Sequence, residues 1–212
     1  MEAEFVPAAE VKAHLAGLQL IAIAGPAAVG KSTIIKACGI PYVISDMTRP
    51  LRQGETDHVD INQRSDYDSL WQELETGSFV QFLVAHTGEF YGTKISAYPA
   101  SGACIMPIVT SAIPMFKNLG FGKVITVYVV PPTLDVWHER IKKQEIVDFE
   151  DRMVEARESL GNALQADDYL FLINDELNKT LEDLKAILNN TYDPAKSAAG
   201  QTIAIEMAQS LA

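Results

Sequence analysis

The sequence predicts an α/β fold: a doubly wound, parallel five-stranded sheet carrying an inserted small α+β lobe and a short lid. Three observations carry that expectation. Apolar runs of strand length recur at 18–24, 42–45, 103–109, 124–130 and 169–173, mostly followed by segments that can form helices. Strands alternating with helices form a parallel sheet covered on both faces. The first run leads straight into a glycine-rich turn and a helix start, whereas 46–97 breaks the rhythm with a polar, turn-rich stretch holding its own helix and strands.

Taken in order, residues 7–17 read as a short amphipathic helix with Val11 and Leu15 one turn apart. Leu18 to Ala24 is the first strand, followed by Gly25-Pro26-Ala27-Ala28-Val29-Gly30-Lys31-Ser32. The spacing G-x-x-x-x-G-K-S between a strand and a helix is that of a phosphate-cradling loop, the P-loop. Glycines let backbone N–H groups converge on phosphate oxygens, and the helix N-terminus adds partial positive charge. The residues expected to hold ATP are Gly25, Ala27, Ala28, Val29, Gly30, Lys31, Ser32 and Thr33. Lys31 would reach the β- and γ-phosphates, and the Ser32 hydroxyl would coordinate Mg²⁺.

Gly39 and Pro41 then punctuate the chain, and Tyr42 to Ser45 reads as the second strand. The polar run Asp46 to Asp60 carries Arg49 and Arg52 three residues apart, just past a strand end. In open α/β sheets ligands sit beyond the carboxyl ends of strands, and paired guanidinium forks suit a second phosphate. A solvated basic loop making surface ion pairs is the competing reading.

Ser65-Asp66 and Gly77 bracket a helix containing Leu70, Trp71 and Leu74. Phe79 to Ala85 is a strand, and His86 to Thr93 a turn and strand. Ala103 to Val109 returns to the main sheet, interrupted by Pro107, and Ser111 to Leu119 is a helix. Val124 to Val130 is the most β-branched strand. Pro131-Pro132 ends it, and Thr133 caps a helix to about Lys143. A longer helix, about Phe149 to Leu164, bears Arg152 and Arg157. Tyr169 to Ile173 is the last strand, Asn174-Asp175 the turn after it, and Glu176 to Leu188 the last sheet-covering helix. The tail from Asn189 either packs on its own domain or swaps onto a second copy in a homodimer, and both stay open. Residues 1–45 and 98–190 would then form the P-loop core with a lid at about 138–150, 46–97 the inserted lobe, and 191–212 a C-terminal extension.

Composition narrows the partners. The chain of 212 residues has a formal charge of −11, which argues against nucleic acid, whose recognition needs clustered Lys and Arg. It argues equally against an anionic membrane surface. No run reaches the ~18 apolar residues of a membrane span. Residues 1–17 lack the apolar core of a signal peptide. The two cysteines, Cys38 and Cys104, stand in apolar contexts and read as reduced thiols. A cytoplasmic protein acting on a small phosphorylated acceptor is expected.

Over residues 18–190 the order of motifs resembles the guanylate kinase family. The matching pieces are Gly25 to Thr33; Ser45 with Thr48-Arg49-Pro50-x-Arg52-x-Gly54-Glu55; Gly88-x-x-Tyr91-Gly92-Thr93; Val130-Pro131-Pro132-Thr133-Leu134; and Ile173-Asn174-Asp175-Glu176-Leu177. The resemblance implies that Ser45, Arg49, Arg52, Tyr91 and Thr93 hold the acceptor's phosphate. It implies that Arg140 and Arg152 neutralise the transferring phosphoryl group, and that Asn174 lies near the donor adenine. Arg152 sits among Glu150, Asp151 and Glu155, so ordinary helix ion pairing competes for it. Phosphoryl transfer rests on positioning and charge neutralisation, so a lysine, several arginines and Mg²⁺ suffice.

The sequence also departs from that family. Ile61 stands where the family has a tyrosine, and Gln81 where it has the glutamate that reads guanine. A carboxylate accepts from both N1–H and N2–H of guanine, whereas an amide offers one acceptor and one donor group. Pro107 and Val109 replace two aspartates, one base-reading and one near the metal, with Asp46 as the candidate acidic replacement. The lid is about three residues short, with Lys142-Lys143 in place of arginine. ATP-dependent transfer to a nucleoside monophosphate, GMP or dGMP first, is the leading expectation. The alternatives are an enzyme like ribose 1,5-bisphosphate phosphokinase, and a catalytically weakened binding module.

Overall fold

Strand β1, Leu18–Ala24, is buried at six of its seven positions, as a strand covered on both faces must be. It belongs to a four-stranded sheet of order β6-β1-β7-β8, where β6 is Gly102–Pro107, β7 Lys123–Val130 and β8 Tyr169–Ile173. β7 and β8 run parallel, in register from Thr126↔Tyr169 to Val130↔Ile173. The computed structural model describes residues 7–52, 54–84, 88–143 and 149–211. Ala85, the expected turn at His86-Thr87 and the middle of the expected lid, 144–148, lie outside the described residues.

The expected fifth strand is reduced to a bridge. Tyr42 pairs in parallel with Ile105, through Val43 N–H to Ile105 O at 2.9 Å and Ile105 N–H to Pro41 O at 3.0 Å. Pro41 has no N–H to extend the ladder. The Ser45 carbonyl accepts from Asn62 N at 2.9 Å, so the chain leaves for another sheet after two bonds.

That second sheet has the order β3-β2-β5-β4, with β2 Asp46–Met47, β3 Asn62–Gln63, β4 Phe79–Val84 and β5 Phe90–Lys94. Helix α3, Tyr67–Glu75, follows β3 and is capped by the Asp66 carboxylate, which accepts from Ser69 N at 3.1 Å. Its Leu70 packs with Phe79 and Phe90. The Phe79 and Phe90 rings meet edge to face at 5.4 Å, and Phe82 stacks on Phe90 at 5.7 Å. A Cβ at Gly92 would come within 2.7 Å of the Phe90 ring and 2.9 Å of Phe79, so the aromatic core requires glycine there.

The remaining helices follow the expected order. They are α1 Ala9–Leu15, α2 Lys31–Ala37, α4 Ile113–Asn118, α5 Leu134–Lys143, α6 Phe149–Gln165, α7 Leu177–Leu188 and α8 Pro194–Ser210. A 3₁₀ turn at Thr110–Ala112 precedes α4. Thr133 caps α5, accepting from Val136 N at 3.3 Å. Two compact units emerge: one built on Pro41–Met106 and Met115–Val124 with the N-terminal segment to Leu20, the other on Ile21–Ile40, Pro107–Pro114 and the chain from Ile125 onward. Among the described residues no helix is long and apolar enough to cross a membrane.

The tail left open by the sequence packs on its own chain. β8 ends the order of its sheet, and an uncovered edge strand invites pairing with another molecule. Here Phe171 N donates to Ser197 Oγ at 3.1 Å, and Tyr192 OH donates to Phe171 O at 2.9 Å. α8 buries Gly200, Ala204 and Met207 and lies against β8 and α6. A Cβ at Gly200 would stand 2.8 Å from Phe171 Cβ and 3.2 Å from its carbonyl. Gly200→Val is therefore expected to cost about 2 kcal/mol by overpacking and to lower Tm by about 4–8 °C. An unchanged Tm in thermal denaturation would show that helix and strand separate freely.

Candidate active site

At the end of β1 the backbone turns through positive φ at Gly25 (140°), Ala28 (64°) and Gly30 (96°). A Cβ at Gly25 would approach Val129 O to 2.6 Å, and one at Gly30 would collide with Asn174 Nδ2. Glycine is required at both positions by space as well as by φ. Ala28 is a non-glycine residue held in the left-handed region, a strain of about 1–3 kcal/mol that its surroundings must impose.

Those surroundings are side-chain donors. Lys31 Nζ donates to Gly25 O at 2.6 Å and Pro26 O at 2.7 Å. Trp137 Nε1, on α5, donates to Ala27 O at 3.0 Å. Asn174 Nδ2, at the end of β8, donates to Val29 O at 2.7 Å, and its Oδ1 accepts from Thr180 Oγ1 at 3.2 Å. The Asn174 side chain thus braces the loop from behind. Arg140 Nη2, also on α5, donates to Asn174 O at 3.0 Å, and its buried Nη1 has no hydrogen-bond partner among the described residues. Lys31, Asn174 and Arg140 are therefore brought together around the loop. Ser32 and Thr33 are exposed on the first turn of α2. Arg152, on α6, pairs with Glu155 at 2.5 Å, the helix ion pair the sequence held as its competing reading.

The lobe built on β2–β5 presents the other cations. Arg49 is 8% exposed and grips Glu55 with both arms, Nη1 to Oε2 at 2.7 Å and Nη2 to Oε1 at 2.8 Å. Arg52 contributes its backbone N–H to Glu55 Oε2 at 2.8 Å, while its side chain is exposed. Burial works against both charges, yet the pairing outweighs it: the Arg49 pKa rises, and the Glu55 carboxyl falls below the usual carboxylate range. Tyr91 on β5 lies within electrostatic reach of Arg49. Ser45, half-buried, stands immediately before β2.

Gln81 and Thr93 are cross-strand partners on β4 and β5, both buried. Gln81 Nε2 points to Thr93 Oγ1 at 3.4 Å, Thr93 Oγ1 lies 3.0 Å from Tyr98 OH, and the buried Gln81 Oε1 has no partner among the described residues. An orphaned amide oxygen costs about 1–3 kcal/mol unless a ligand N–H meets it. Burial pushes the Tyr98 phenol up, so it stays neutral and able to donate.

The family model for guanylate kinase matches residues 18–191. The chain belongs to the guanylate kinase family. It is 29% identical to the guanylate kinase of Bdellovibrio bacteriovorus, over 81% of this chain and 97% of that one. Identity to the guanylate kinase of Symbiobacterium thermophilum is 28%, over 80% and 83% of the two chains. The crystal structure of guanylate kinase from Anaplasma phagocytophilum shares the fold, with TM-score 0.58 at 16% identity over 85% and 89% of the chains. Membership makes this guanylate kinase relative an ATP-dependent nucleoside monophosphate kinase. The phosphokinase and binding-module alternatives find no support in these relatives.

Within this family member, Asp46 is not a free carboxylate for a metal. Its Oδ2 meets Arg64 Nη1 at 2.7 Å and Lys94 Nζ at 3.0 Å, and its Oδ1 accepts from Asn62 Nδ2 at 2.9 Å. Glu73 closes the cluster, 2.9 Å from Arg64 and 2.6 Å from Lys94. This node, centred on the buried Asp46 with partly exposed partners, ties β2, β3, α3 and β5 together, and sequence spacing gives no hint of it. Ile61 is buried, Pro107 ends β6, and Val109 is 53% exposed, so none of the three supplies a carboxylate. Asp57 and His58 form an exposed pair at 3.4 Å, as expected of solvated loop residues. The extension 192–212 lies beyond the residues that match the family.

Proposed function

We propose that the chain transfers the γ-phosphate of ATP to GMP or dGMP, with ATP on the phosphate loop and the nucleotide's phosphate on Arg49 and Arg52. The observation that carries this reading is the pair of built anion sites: a strained loop braced from behind, and a guanidinium fork already holding a carboxylate. Residues 46–97 would be the acceptor lobe, and 138–150 the lid on a core of 1–45 and 98–190. Ser45, Tyr91 and Thr93 would complete the grip on the acceptor, with Gln81 facing its base. Arg140 and Arg152 would neutralise the moving phosphoryl group, Arg152 first exchanging Glu155 for it.

Mg²⁺ fits the residues present. Among the described residues no group of three His, Cys, Asp or Glu could hold a metal unaided, and Mg²⁺ commonly keeps its waters and arrives on substrate phosphates. The Ser32 hydroxyl, exposed on the first turn of α2, would be its one side-chain ligand. When bound, Mg²⁺ would offset charge on the β- and γ-phosphates. Lys31 would exchange its two loop carbonyls for oxygens of the transferring phosphate and offset their charge. Two free cysteines, Cys38 and Cys104, suit a cytoplasmic setting.

The test is coupled ADP release across nucleoside monophosphates with Mg-ATP. GMP and dGMP are expected to give the highest kcat/KM, and no ADP above background with any acceptor would reject the assignment. Gln81→Glu supplies the second acceptor that guanine's paired N–H groups need. It is expected to raise kcat/KM for GMP over IMP by roughly tenfold, the worth of one hydrogen bond of about 1.4 kcal/mol. An unchanged ratio would remove Gln81 from the base site.

A further inference from the structure

We propose that Trp137 is a positioning residue for the phosphate loop: its indole N–H fixes the Ala27 carbonyl and thereby sets the direction of the amide hydrogens that receive the nucleotide. The proposal rests on the nucleotide-binding reading of the loop. Trp137 has no exposed surface, and its Nε1 reaches Ala27 O at 3.0 Å across 110 residues of sequence. A merely space-filling side chain at that position needs no donor, whereas a buried indole N–H must find an acceptor.

Peptide geometry gives the contact its consequence. In a trans peptide the carbonyl oxygen and the amide hydrogen point in opposite directions, and no peptide among the described residues is cis. With Ala27 O held on the indole, the N–H of Ala28 points away from it. With Val29 O held by Asn174 Nδ2, the N–H of Gly30 points away from that amide. Lys31 holds the carbonyls of Gly25 and Pro26. Four of the five carbonyls from Gly25 to Val29 therefore meet side-chain donors; Lys31 would give up its two to the phosphates, whereas Trp137 and Asn174 would keep theirs. A carbonyl that swung toward the nucleotide would repel its phosphates, and dipoles fixed beforehand need no reorganisation on binding. The pinned Ala27–Ala28 peptide also adjoins the positive φ of Ala28, 64°, so the indole helps to impose that strain.

The test uses Trp137→Phe, which keeps an aromatic ring and removes the N–H, together with Trp71→Phe. Trp71 is 64% exposed on α3, and since the chain has two tryptophans, its removal leaves Trp137 as the sole indole fluorophore. Trp137→Phe is expected to raise the KM for ATP at least fivefold while the KM for the acceptor stays within twofold. In Trp71→Phe, saturating Mg-ATP is expected to shift or quench the emission of Trp137. A Trp137→Phe enzyme with lowered Tm but an unchanged KM for ATP would reduce Trp137 to a core residue and overturn the proposal. Should that variant not fold, the fluorescence titration decides, and emission unmoved by saturating ATP overturns it. Calorimetric titration of the unmutated protein separates the two readings: no ATP binding defeats the loop assignment itself, whereas binding with a silent Trp137 defeats this inference alone.

Discussion

Lys31→Ala is expected to cut turnover by about a hundredfold to a thousandfold while leaving the fold intact. That is the usual cost of deleting one preorganised charge aimed at a developing anion. The Lys31 ammonium is held on two neutral carbonyls, Gly25 O at 2.6 Å and Pro26 O at 2.7 Å. Phosphate oxygens are stronger acceptors than either, because charge-assisted hydrogen bonds are roughly twice as strong as neutral ones. Helix α2 does not depend on the side chain, since its first turn closes through Ile34 N–H to Gly30 O at 3.1 Å. Coupled ADP release at saturating ATP and acceptor, with circular dichroism to verify folding, is the measurement. Lys31→Arg should recover only part of the activity, because a planar fork replaces a compact point charge. A Lys31→Ala enzyme within threefold of wild type would move the donor phosphates off this loop.

The strand–loop–helix unit around residues 18–37 is legible in the sequence because its signals are local. A strand, a loop and a helix start occupy consecutive residues, and their register needs no knowledge of the rest of the chain. What braces the loop is not local. Asn174 reaches Val29 across 145 residues and Trp137 reaches Ala27 across 110, and neither separation leaves a periodic trace. The turn Asn174-Asp175 could be read as a turn, yet the amide's partner could not. Arg49 reads as a phosphate ligand in sequence, whereas its ion pair with Glu55 follows only once the loop's fold is known. Asp46 shows the same limit: in sequence it is an acid after a strand, in space an acid met by Arg64, Lys94 and Asn62. The strand expected at 42–45 failed for a local reason that the letters did contain, a proline whose missing N–H ends the ladder. For the tail, the sequence leaves packing and swapping open, and what decides is a close approach of α8 to Phe171 that only a residue as small as Gly200 allows.

Arg49→Ala is expected to raise the acceptor's KM by about thirtyfold to a hundredfold and to leave the KM for ATP within twofold. A bidentate, charge-assisted contact to phosphate is worth roughly 2–3 kcal/mol, and each 1.4 kcal/mol is a factor of ten. In this structure Glu55 occupies the fork, and a phosphate dianion with three acceptor oxygens can share or take it over. The substitution has a second effect that must be separated from the first. It strands the Glu55 carboxylate, whose side chain is 22% exposed, with the Arg52 N–H as its remaining hydrogen bond of those described. Stability at pH 7 should fall by about 1–2 kcal/mol, a buried-pair penalty discounted for partial exposure. The sign of its pH dependence follows from the depressed pKa of Glu55. An acid whose folded pKa is lowered adds stability above its unfolded value, about 4.3, and loses it as pH falls through the folded one. The gap between wild type and Arg49→Ala should therefore close below about pH 4. Removing both partners, Arg49→Ala with Glu55→Ala, should restore most of the stability and none of the acceptor affinity. If the double variant regains the acceptor, or if the KM for ATP rises in step with that of the acceptor, Arg49 is a structural anchor and the acceptor phosphate binds elsewhere.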